Sequence, residues 1–266
     1  MISVCIAGAT GWTGRALVPA VVSASDLDLV AGVSRSAAGQ DLGEALGGEA
    51  LGVRVDGVVA DALDGVDVLV DYTSASAVKS NTMAAIDAGV CVVIGSSGLT
   101  AVDFEEIDAA ARRHSVGVVA AGNFSVTAAM CQAGALIAAR HLSHWEVIDY
   151  ASVQKPDVPS GTARELAERL GDVRRPEPGY PIDELEGPKE ARGTPVAGAQ
   201  VHSVRLPSFV VSTEVLFAGP DERLTIRHDA GGTAQPYVEG TLLAVRKVPE
   251  LVGLTRGLDN LLLDAG

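Results

Sequence analysis

Gly8-Ala9-Thr10-Gly11-Trp12-Thr13-Gly14 links a short apolar run, Ile2 to Ala7, to a run with helical spacing, Arg15 to Ser23. The first run predicts a buried strand and the second a helix. Glycine at every third position allows a tight turn, close approach of phosphate groups and close packing of helix on strand. The stretch therefore predicts a dinucleotide-binding turn, and a simple strand-to-helix turn is the alternative. The predicted cofactor contacts in this turn are Gly8, Thr10, Gly11, Trp12, Thr13 and Gly14.

The next strand, Leu27 to Val33, ends in Ser34-Arg35-Ser36. Sites that prefer NAD usually place an acidic residue here, to bind the ribose hydroxyls. One arginine between two hydroxyls instead suits a 2′-phosphate, which favours NADPH over NADH. The alternative is that Arg35 is a solvated cation in a loop.

Strands and helices alternate through the rest of the first half. Val66–Tyr72, Cys91–Ile94 and Val116–Ala120 predict strands, separated by helices near 78–88 and 101–114. Such alternation predicts an α/β fold with a doubly wound parallel sheet of the Rossmann type. Ligands bind such sheets at the carboxyl ends of the strands. The further predicted cofactor contacts at those ends are Tyr72, Thr73, Gly95, Ser97, Gly122, Asn123 and Phe124.

The pattern changes after an apolar helix, 126–140. A strand near 146–151, a helix near 164–170 and three strands between 201 and 228 predict a second α+β domain with a mixed sheet. Residues 172–193, rich in proline, glycine and charge, predict a mobile surface segment. We therefore divide the chain into a dinucleotide-binding domain at 1–123, completed by 234–266, and a substrate-binding and oligomerisation domain at 124–233.

Lys155-Pro156-Asp157-Val158-Pro159-Ser160-Gly161-Thr162-Ala163 opens the helix of the second domain. Ser160 or Thr162 can cap that helix, and Gly161 lets the backbone approach a ligand. Amide groups at a helix start attract anions, and Lys155 adds a positive charge. The stretch predicts a rigid pocket for a carboxylate or phosphate, and an ordinary capped helix after a proline turn is the alternative.

Composition excludes several classes of protein. A net charge of −14 without a Lys/Arg cluster argues against nucleic-acid binding. No apolar run approaches the roughly 20 residues that span a bilayer, and no basic segment precedes the first apolar run, so we expect neither membrane insertion nor a leader peptide. Cys5, Cys91 and Cys131 are far apart in apolar surroundings, which predicts buried free thiols in a reducing, cytoplasmic setting. The histidines form no ligand cluster, so we predict no metal.

Taken together, the motifs resemble the dihydrodipicolinate reductase family, whose members are 4-hydroxy-tetrahydrodipicolinate reductases of lysine biosynthesis. The resemblance spans nearly the whole chain and rests on the following segments: Gly8 to Gly14, Val70 to Thr73, Val93 to Gly98, Asn123 to Ser125, Lys155 to Ala163, His202 to Arg205 and Leu224 to His228. It implies a Rossmann domain, a substrate domain whose sheets assemble a homotetramer, and hydride transfer from NADH or NADPH to a cyclic unsaturated dicarboxylate.

The chain departs from that family in its substrate half. The family has two adjacent histidines, one of them taken as the general acid, where this chain has Ala151 and Ser152. The family's carboxylate-binding arginine after the position of His228 is also missing, and Ser212-Thr213-Glu214 lacks a histidine that often precedes the glutamate. Neither alanine nor serine serves well as an acid near neutral pH. Tyr150 is a candidate replacement donor, although strand alternation could equally bury it.

Three functions follow from this combination. The first is the lysine-pathway reductase with an altered acid, such as water. The second is a family member with a different imine or enamine substrate, and the third is a catalytically weak NADPH-binding sensor. We favour an NAD(P)H-dependent reductase of a small cyclic imine or enamine carboxylate, with Lys155 and Tyr150 as the catalytic candidates. The predicted substrate contacts are Lys155, Ser160, Gly161 and Thr162.

Overall fold

The computed structural model describes residues 1–263 and divides into two units. The first comprises Met1–Ser125 and the C-terminal segment from Ala234, and the second comprises Val126–Thr233.

A seven-stranded parallel sheet forms the first unit, in the order β12-β6-β5-β4-β1-β2-β3. Its strands are β1 (Ile2–Ala7), β2 (Leu27–Val33), β3 (Val55–Asp56), β4 (Val68–Asp71), β5 (Cys91–Ile94), β6 (Gly117–Ala120) and β12 (Gly253–Arg256). Its helices are α1 (Gly14–Ser23), α2 (Leu42–Ala45), α3 (Val78–Asp87), α4 (Ala101–His114), α7 (Pro236–Lys247) and α8 (Leu258–Leu263). The predicted parallel Rossmann-type sheet is confirmed, and the C-terminal strand β12 joins it beside β6.

Local sequence explains where these elements begin and end. Strands β4, β5 and β6 are almost wholly buried, as expected of central parallel strands with helices on both faces. Helix α4 begins at a capping box, in which Thr100 and Asp103 each bind the other's backbone N–H. It ends at Ser115 in the left-handed conformation. Strand β1 ends at Ala7, so the glycine turn that follows it lies at the carboxyl edge of the parallel sheet.

A five-stranded mixed sheet forms the second unit, in the order β11-β10-β7-β9-β8. Its strands are β7 (His144–Ala151), β8 (Thr194–Val196), β9 (Ala199–Arg205), β10 (Val211–Gly219) and β11 (Glu222–Asp229), and its helices are α5 (Val126–Ala139) and α6 (Gly161–Val173). Strands β7 and β9 are parallel, and the other pairs are antiparallel. The predicted mixed sheet is confirmed.

Alternation along β7 gives the second sheet two different faces. Trp145 and Val147 are buried with residues of α5 and α6, and Ala151 is also buried, whereas Glu146, Ile148 and Tyr150 are only half-buried. One face is therefore a helix-covered core and the other carries polar side chains. Asp149 is the exception, because it is a carboxylate on the buried face. It lies close in sequence to the predicted anion-binding stretch.

Candidate active site

The glycine turn between β1 and α1 has no room for side chains at its ends. Gly8 has a φ of +79°, and a Cβ there would lie 2.3 Å from the Tyr72 carbonyl oxygen. A Cβ on Gly14 would lie 2.3 Å from the Gly8 oxygen. Gly11 donates its N–H to that same oxygen at 2.9 Å. The turn therefore brings bare backbone to the start of α1, whose first turn has no acidic residue, and this arrangement suits a pyrophosphate.

Hydroxyl groups connect this turn to the end of β2. Thr10 Oγ1 lies 2.7 Å from Ser34 Oγ, which in turn lies 3.3 Å from Ser36 Oγ. Arg35 between them is exposed. Arg15, which sequence reasoning did not single out, donates to the Thr10 carbonyl oxygen at 3.0 Å and braces the turn. The structure thus brings together the predicted residues of the first two strand ends.

The aromatic rings of Tyr72 and Phe124 are held by contacts within the protein. Tyr72 shares a hydrogen bond of 2.8 Å with Thr241, and burial raises the pKa of its phenol. Its ring occupies the space of a Gly95 side chain, since a Cβ there would lie 2.2 Å away. Phe124 is 1% exposed and packs edge-to-face on Tyr72. The Phe124 side chain is enclosed by the protein, so its backbone is the part that a cofactor could reach, and the prediction that Tyr72 and Phe124 contact the cofactor stays a prediction.

Asp71, at the end of β4, organises the neighbouring strand ends. Its side chain is fully buried and accepts hydrogen bonds from the Thr73 N–H at 2.9 Å and the Thr73 hydroxyl at 2.7 Å. Ser96 Oγ donates at 2.6 Å and Asn81 Nδ2 at 2.8 Å. The N–H and the hydroxyl of Thr73 are thus both bound by Asp71, which fixes the conformation of this loop. Sequence reasoning did not single out Asp71 as a site residue. The available signal was an acidic residue at the end of an apolar strand.

The remaining predicted cofactor contacts are at or near the surface. Ser97 and Gly122 are exposed, and Asn123 accepts the Ser125 N–H at 2.9 Å. Trp12 is 53% exposed and packs edge-to-face on Tyr237. An exposed tryptophan within the glycine turn is well placed to report on a ligand bound there.

In the second unit, the predicted anion-binding stretch forms the loop that opens α6. Ser160 caps the helix, since its Oγ accepts the Ala163 N–H at 3.3 Å. Lys155 Nζ lies 3.0 Å from Asp157 Oδ1, and its side chain is 27% exposed. Gly161 and Thr162 are half-buried in the first turn of the helix. An ammonium group and a capped helix start thus share one short loop, and the partner Asp157 was not foreseen.

An ion pair between Asp149 and Arg205 binds the backbone of this loop. Asp149 is fully buried, and its Oδ2 accepts from Arg205 Nη2 at 2.7 Å, from the Ser160 N–H at 2.9 Å and from Ser203 Oγ at 3.0 Å. Arg205 Nη2 also donates to the Asp157 carbonyl oxygen at 2.8 Å. The pair therefore contacts the loop at two positions.

The surroundings of Tyr150 oppose its predicted role as proton donor. Its hydroxyl donates to Glu214 Oε2 at 3.1 Å, and Arg227 stacks on its ring at 4.8 Å. Burial and the Glu214 carboxylate raise the pKa of the Tyr150 phenol. A phenol that already donates to a carboxylate and holds its proton more tightly is a poor acid near neutral pH.

Neither nearby histidine is bound to the anion-binding loop. His202 Nε2 lies 2.7 Å from Glu146 Oε2, and Arg192 also binds Glu146. Although burial opposes it, the hydrogen bonds from Arg192 and His202 lower the pKa of Glu146. His228 has a buried Nδ1 with no partner among residues 1–263, and burial lowers its pKa. Both histidines are therefore parts of the sheet's own packing.

The cysteines differ from expectation in their exposure. All three are free, but only Cys5 is buried, whereas Cys91 and Cys131 are partly accessible. Burial raises the pKa of the Cys5 thiol to about 12 and that of Cys131 to about 11. Within the described residues, there is no cluster of His, Cys, Asp and Glu that could hold a metal. Nor does any helix in that range have the length and hydropathy to cross a membrane.

Two family models match the chain end to end. "Dihydrodipicolinate reductase, N-terminus" matches residues 2–124, and "Dihydrodipicolinate reductase, C-terminus" matches residues 124–262. Among curated relatives, the 4-hydroxy-tetrahydrodipicolinate reductase of Desulfitobacterium hafniense is 38% identical over 265 residues, which cover 98% of each chain. That of Thermosynechococcus vestitus is 38% identical over 268 residues, covering 98% of this chain and 97% of the relative.

Two solved structures superpose on nearly the whole chain. Dihydrodipicolinate reductase from Paenisporosarcina sp. TG-14, solved with dipicolinate bound, superposes with a TM-score of 0.76 at 31% identity, covering 98% of this chain and 99% of the other. GenD2 from gentamicin A biosynthesis, solved with NAD, superposes with a TM-score of 0.67 at 17% identity, covering 98% and 90%. The second likeness shows the fold alone.

Proposed function

The chain belongs to the dihydrodipicolinate reductase family, and from this premise we propose that it reduces 4-hydroxy-tetrahydrodipicolinate with NADPH. It is an oxidoreductase of a family that uses a nicotinamide cofactor and a carboxylate substrate. The observation that carries the proposal is the Lys155–Thr162 loop, which joins an ammonium group to a capped helix start. This combination binds a carboxylate, and the relatives' substrate carries two.

We assign the nicotinamide nucleotide to the glycine turn. Its bare backbone at Gly8 and Gly14, and the start of α1, suit the pyrophosphate. The linked hydroxyls of Thr10 and Ser34 lie beside exposed Arg35, and residues 34–36 include no carboxylate to repel a 2′-phosphate. We therefore propose NADPH as the preferred form. When bound, the reduced nicotinamide supplies a hydride.

Lys155 has two roles in this proposal. Its ammonium attracts a substrate carboxylate, assisted by the backbone N–H groups of Gly161 and Thr162 at the start of α6. It also stabilises the negative charge that develops on the substrate as its electrophilic carbon accepts hydride. Asp157, 3.0 Å away, fixes the position of the ammonium group.

The proton for the reduced substrate must come from another group than the family's histidine pair. Ala151 is fully buried and has no acidic proton. The hydroxyl of Ser152 accepts the Gln154 N–H, and Tyr150 donates to Glu214. We assign the proton to a water molecule polarised by the Lys155 ammonium. Losing a positioned general acid costs on the order of a hundredfold or more in rate, so we expect slow chemistry.

A second candidate substrate is a cyclic imine with one carboxylate. It is favoured by the residues that follow His228, where Asp229 is bound by Arg227 at 2.8 and 2.9 Å. The Arg227 guanidinium is thus occupied, and its hydrogen bond lowers the pKa of Asp229, which keeps that carboxylate charged. A carboxylate within the stretch that lacks the family's arginine disfavours a second substrate carboxylate.

We further propose that the polar face of the second sheet assembles a homotetramer, as the family resemblance implies. Residues Glu146, Ile148 and Tyr150 project from β7 on the face opposite α5 and α6. Light scattering of the purified protein tests this assignment, and a monomer would exclude it.

The test of function is steady-state reduction of both substrate classes with NADPH and with NADH. We expect turnover of 4-hydroxy-tetrahydrodipicolinate, faster with NADPH. In Arg35→Ala we expect kcat/KM to fall for NADPH but not for NADH, by about tenfold or more, the loss for one charge-assisted hydrogen bond. Turnover only of the one-carboxylate imine would replace the substrate proposal. Tight NADPH binding without turnover of either would favour a sensor protein.

A further inference from the structure

The buried face of the second sheet contains a charge pair that no catalytic step uses. Asp149 is fully buried and the Arg205 side chain is 15% exposed, with Nη2 and Oδ2 separated by 2.7 Å. Taking two charges out of water is costly, and such a pair is weak evidence for stability alone. The contacts that the pair makes beyond itself therefore need an explanation.

Those contacts converge on the anion-binding loop. Asp149 Oδ2 accepts the backbone N–H of Ser160, the residue that caps α6. Arg205 Nη2 donates to the backbone oxygen of Asp157, whose side chain binds Lys155. One pair thus contacts both the segment that presents the ammonium group and the segment that presents the helix start.

The rest of the guanidinium ties the loop to the sheet. Arg205 Nη1 donates to the backbone oxygens of Asp149 at 3.4 Å and Val204 at 3.0 Å, so β7 and β9 are joined at their ends. Ser203 adds a further donor to Asp149 from the same strand. The planar fork of arginine reaches all of these acceptors at once, which the single ammonium of lysine cannot do.

We propose that Asp149 and Arg205 are positioning residues that set the Gly161 and Thr162 amides and Lys155 at the spacing a substrate carboxylate requires. The proposal rests on the function assigned above to this loop. Neither residue touches substrate in this account. Both act by fixing backbone atoms at Ser160 and Asp157, and a displacement of about 1 Å in such a site costs on the order of a hundredfold.

The first test is Arg205→Lys, which retains the buried positive charge but loses the fork. We expect the KM for 4-hydroxy-tetrahydrodipicolinate and the Kd for dipicolinate to rise about ten- to a hundredfold. The kcat is expected to fall as well, because a displaced Lys155 also stabilises less of the charge that develops during hydride transfer. NADPH affinity, measured by the fluorescence of Trp12 in the other unit, is expected to stay unchanged.

A second variant separates positioning from charge. Asp149→Asn combined with Arg205→Met leaves no unpaired buried charge, so we expect a folded protein with the same rise in KM. Arg192→Lys is the matched control, since Arg192 forms an arginine–carboxylate pair with Glu146 on the same strand, but on the opposite face. The control is expected to retain the wild-type KM for substrate.

Lys155→Ala distinguishes the two levels of the account. If it leaves the substrate KM and dipicolinate binding unchanged, the function assigned to the loop fails. If it weakens both while Arg205→Lys and the double variant bind as the wild type does, the positioning role alone is overturned. An equal loss of NADPH and dipicolinate affinity in the Arg205 variants would also overturn it, because that result indicates general loss of structure.

Discussion

Asp71 and Asp149 are both fully buried carboxylates near the end of a strand, yet they are stabilised differently. The contacts of Asp71 are neutral donors: the Thr73 N–H and the side chains of Thr73, Asn81 and Ser96. Asp149 instead is bound by the Arg205 guanidinium. One unit buries a charge among dipoles, and the other buries it in an ion pair.

The difference follows from what each carboxylate organises. Asp71 draws together turns from strands that are close neighbours in the parallel sheet, where backbone and hydroxyl groups are near at hand. Asp149 supports the loop that leaves the sheet after β7 and leads to α6. Arg205 extends this support to the backbone oxygen of Asp157. The comparison shows that a buried acid near a strand end can mark the supporting structure of a ligand-binding loop.

Breaking the ion pair is expected to have the largest effect on stability. Arg205→Met leaves Asp149 charged and buried, so we expect the free energy of unfolding to fall by about 3–5 kcal/mol. Urea unfolding followed by circular dichroism measures this loss. The double variant with Asp149→Asn is expected to recover most of it. A loss well under 1 kcal/mol in Arg205→Met would contradict the stabilising role of the ion pair.

Asp71→Asn is expected to cost less. The carboxamide keeps the shape but replaces one acceptor oxygen with an NH2 group that faces other donors, leaving about 1–3 kcal/mol of unsatisfied hydrogen bonding. We also expect weaker NADPH binding, detected through Trp12, because the Thr73 loop loses its anchor. Asp67→Asn is the control, since that exposed carboxylate accepts one N–H from Ser3. Equal effects in the two variants would contradict the special role of Asp71.

The half-buried His228 provides a test of the stability of the second unit through pH. Burial lowers the pKa of His228 in the folded protein from its ordinary value of 6.5. The unfolded chain therefore binds the proton more readily, and stability is lost as pH falls through about 6.5 towards the folded pKa. His228→Gln is expected to flatten this part of the stability–pH curve in urea unfolding. A variant curve parallel to that of the wild type would show that His228 does not contribute.

Tyr150→Phe is expected to have the smallest effect. It removes one half-buried hydrogen bond to Glu214, worth about 0.5–1.5 kcal/mol. Because the raised pKa of the phenol makes it a poor acid, we expect kcat to fall by less than about threefold, well below the loss for a general acid. A fall of a hundredfold, rescued at no pH, would identify Tyr150 as the proton donor after all.

Local sequence predicted most of the first unit. Strand β5 and helix α4 have the predicted bounds, because a buried strand between turns and a helix with its own capping box are specified by adjacent residues. The predicted strand at 66–72 is shorter in the structure, as β4 spans Val68–Asp71. The glycine turn was also predictable from adjacent residues. The cap of α6 was predicted as Ser160 or Thr162, and the structure selects Ser160.

The supporting contacts of the second unit could not be predicted in the same way. Asp149 and Arg205 are 56 residues apart and meet only because β7 and β9 pair in parallel register. The hydrogen bond and the ring contact of Tyr150 involve Glu214 on β10 and Arg227 on β11. Sequence periodicity predicts which residues share a face of one strand, but it does not predict which other strand pairs with that strand.

The most direct test of the account is NADPH oxidation with freshly generated 4-hydroxy-tetrahydrodipicolinate, comparing wild type with Lys155→Ala. We predict that the wild type oxidises NADPH in proportion to the substrate added. For the variant we predict a fall in kcat/KM of about ten- to a hundredfold, as expected for a lost charge-assisted contact. Wild-type protein that binds NADPH but does not oxidise it above the enzyme-free rate, or a variant with unchanged kcat/KM, would contradict the account.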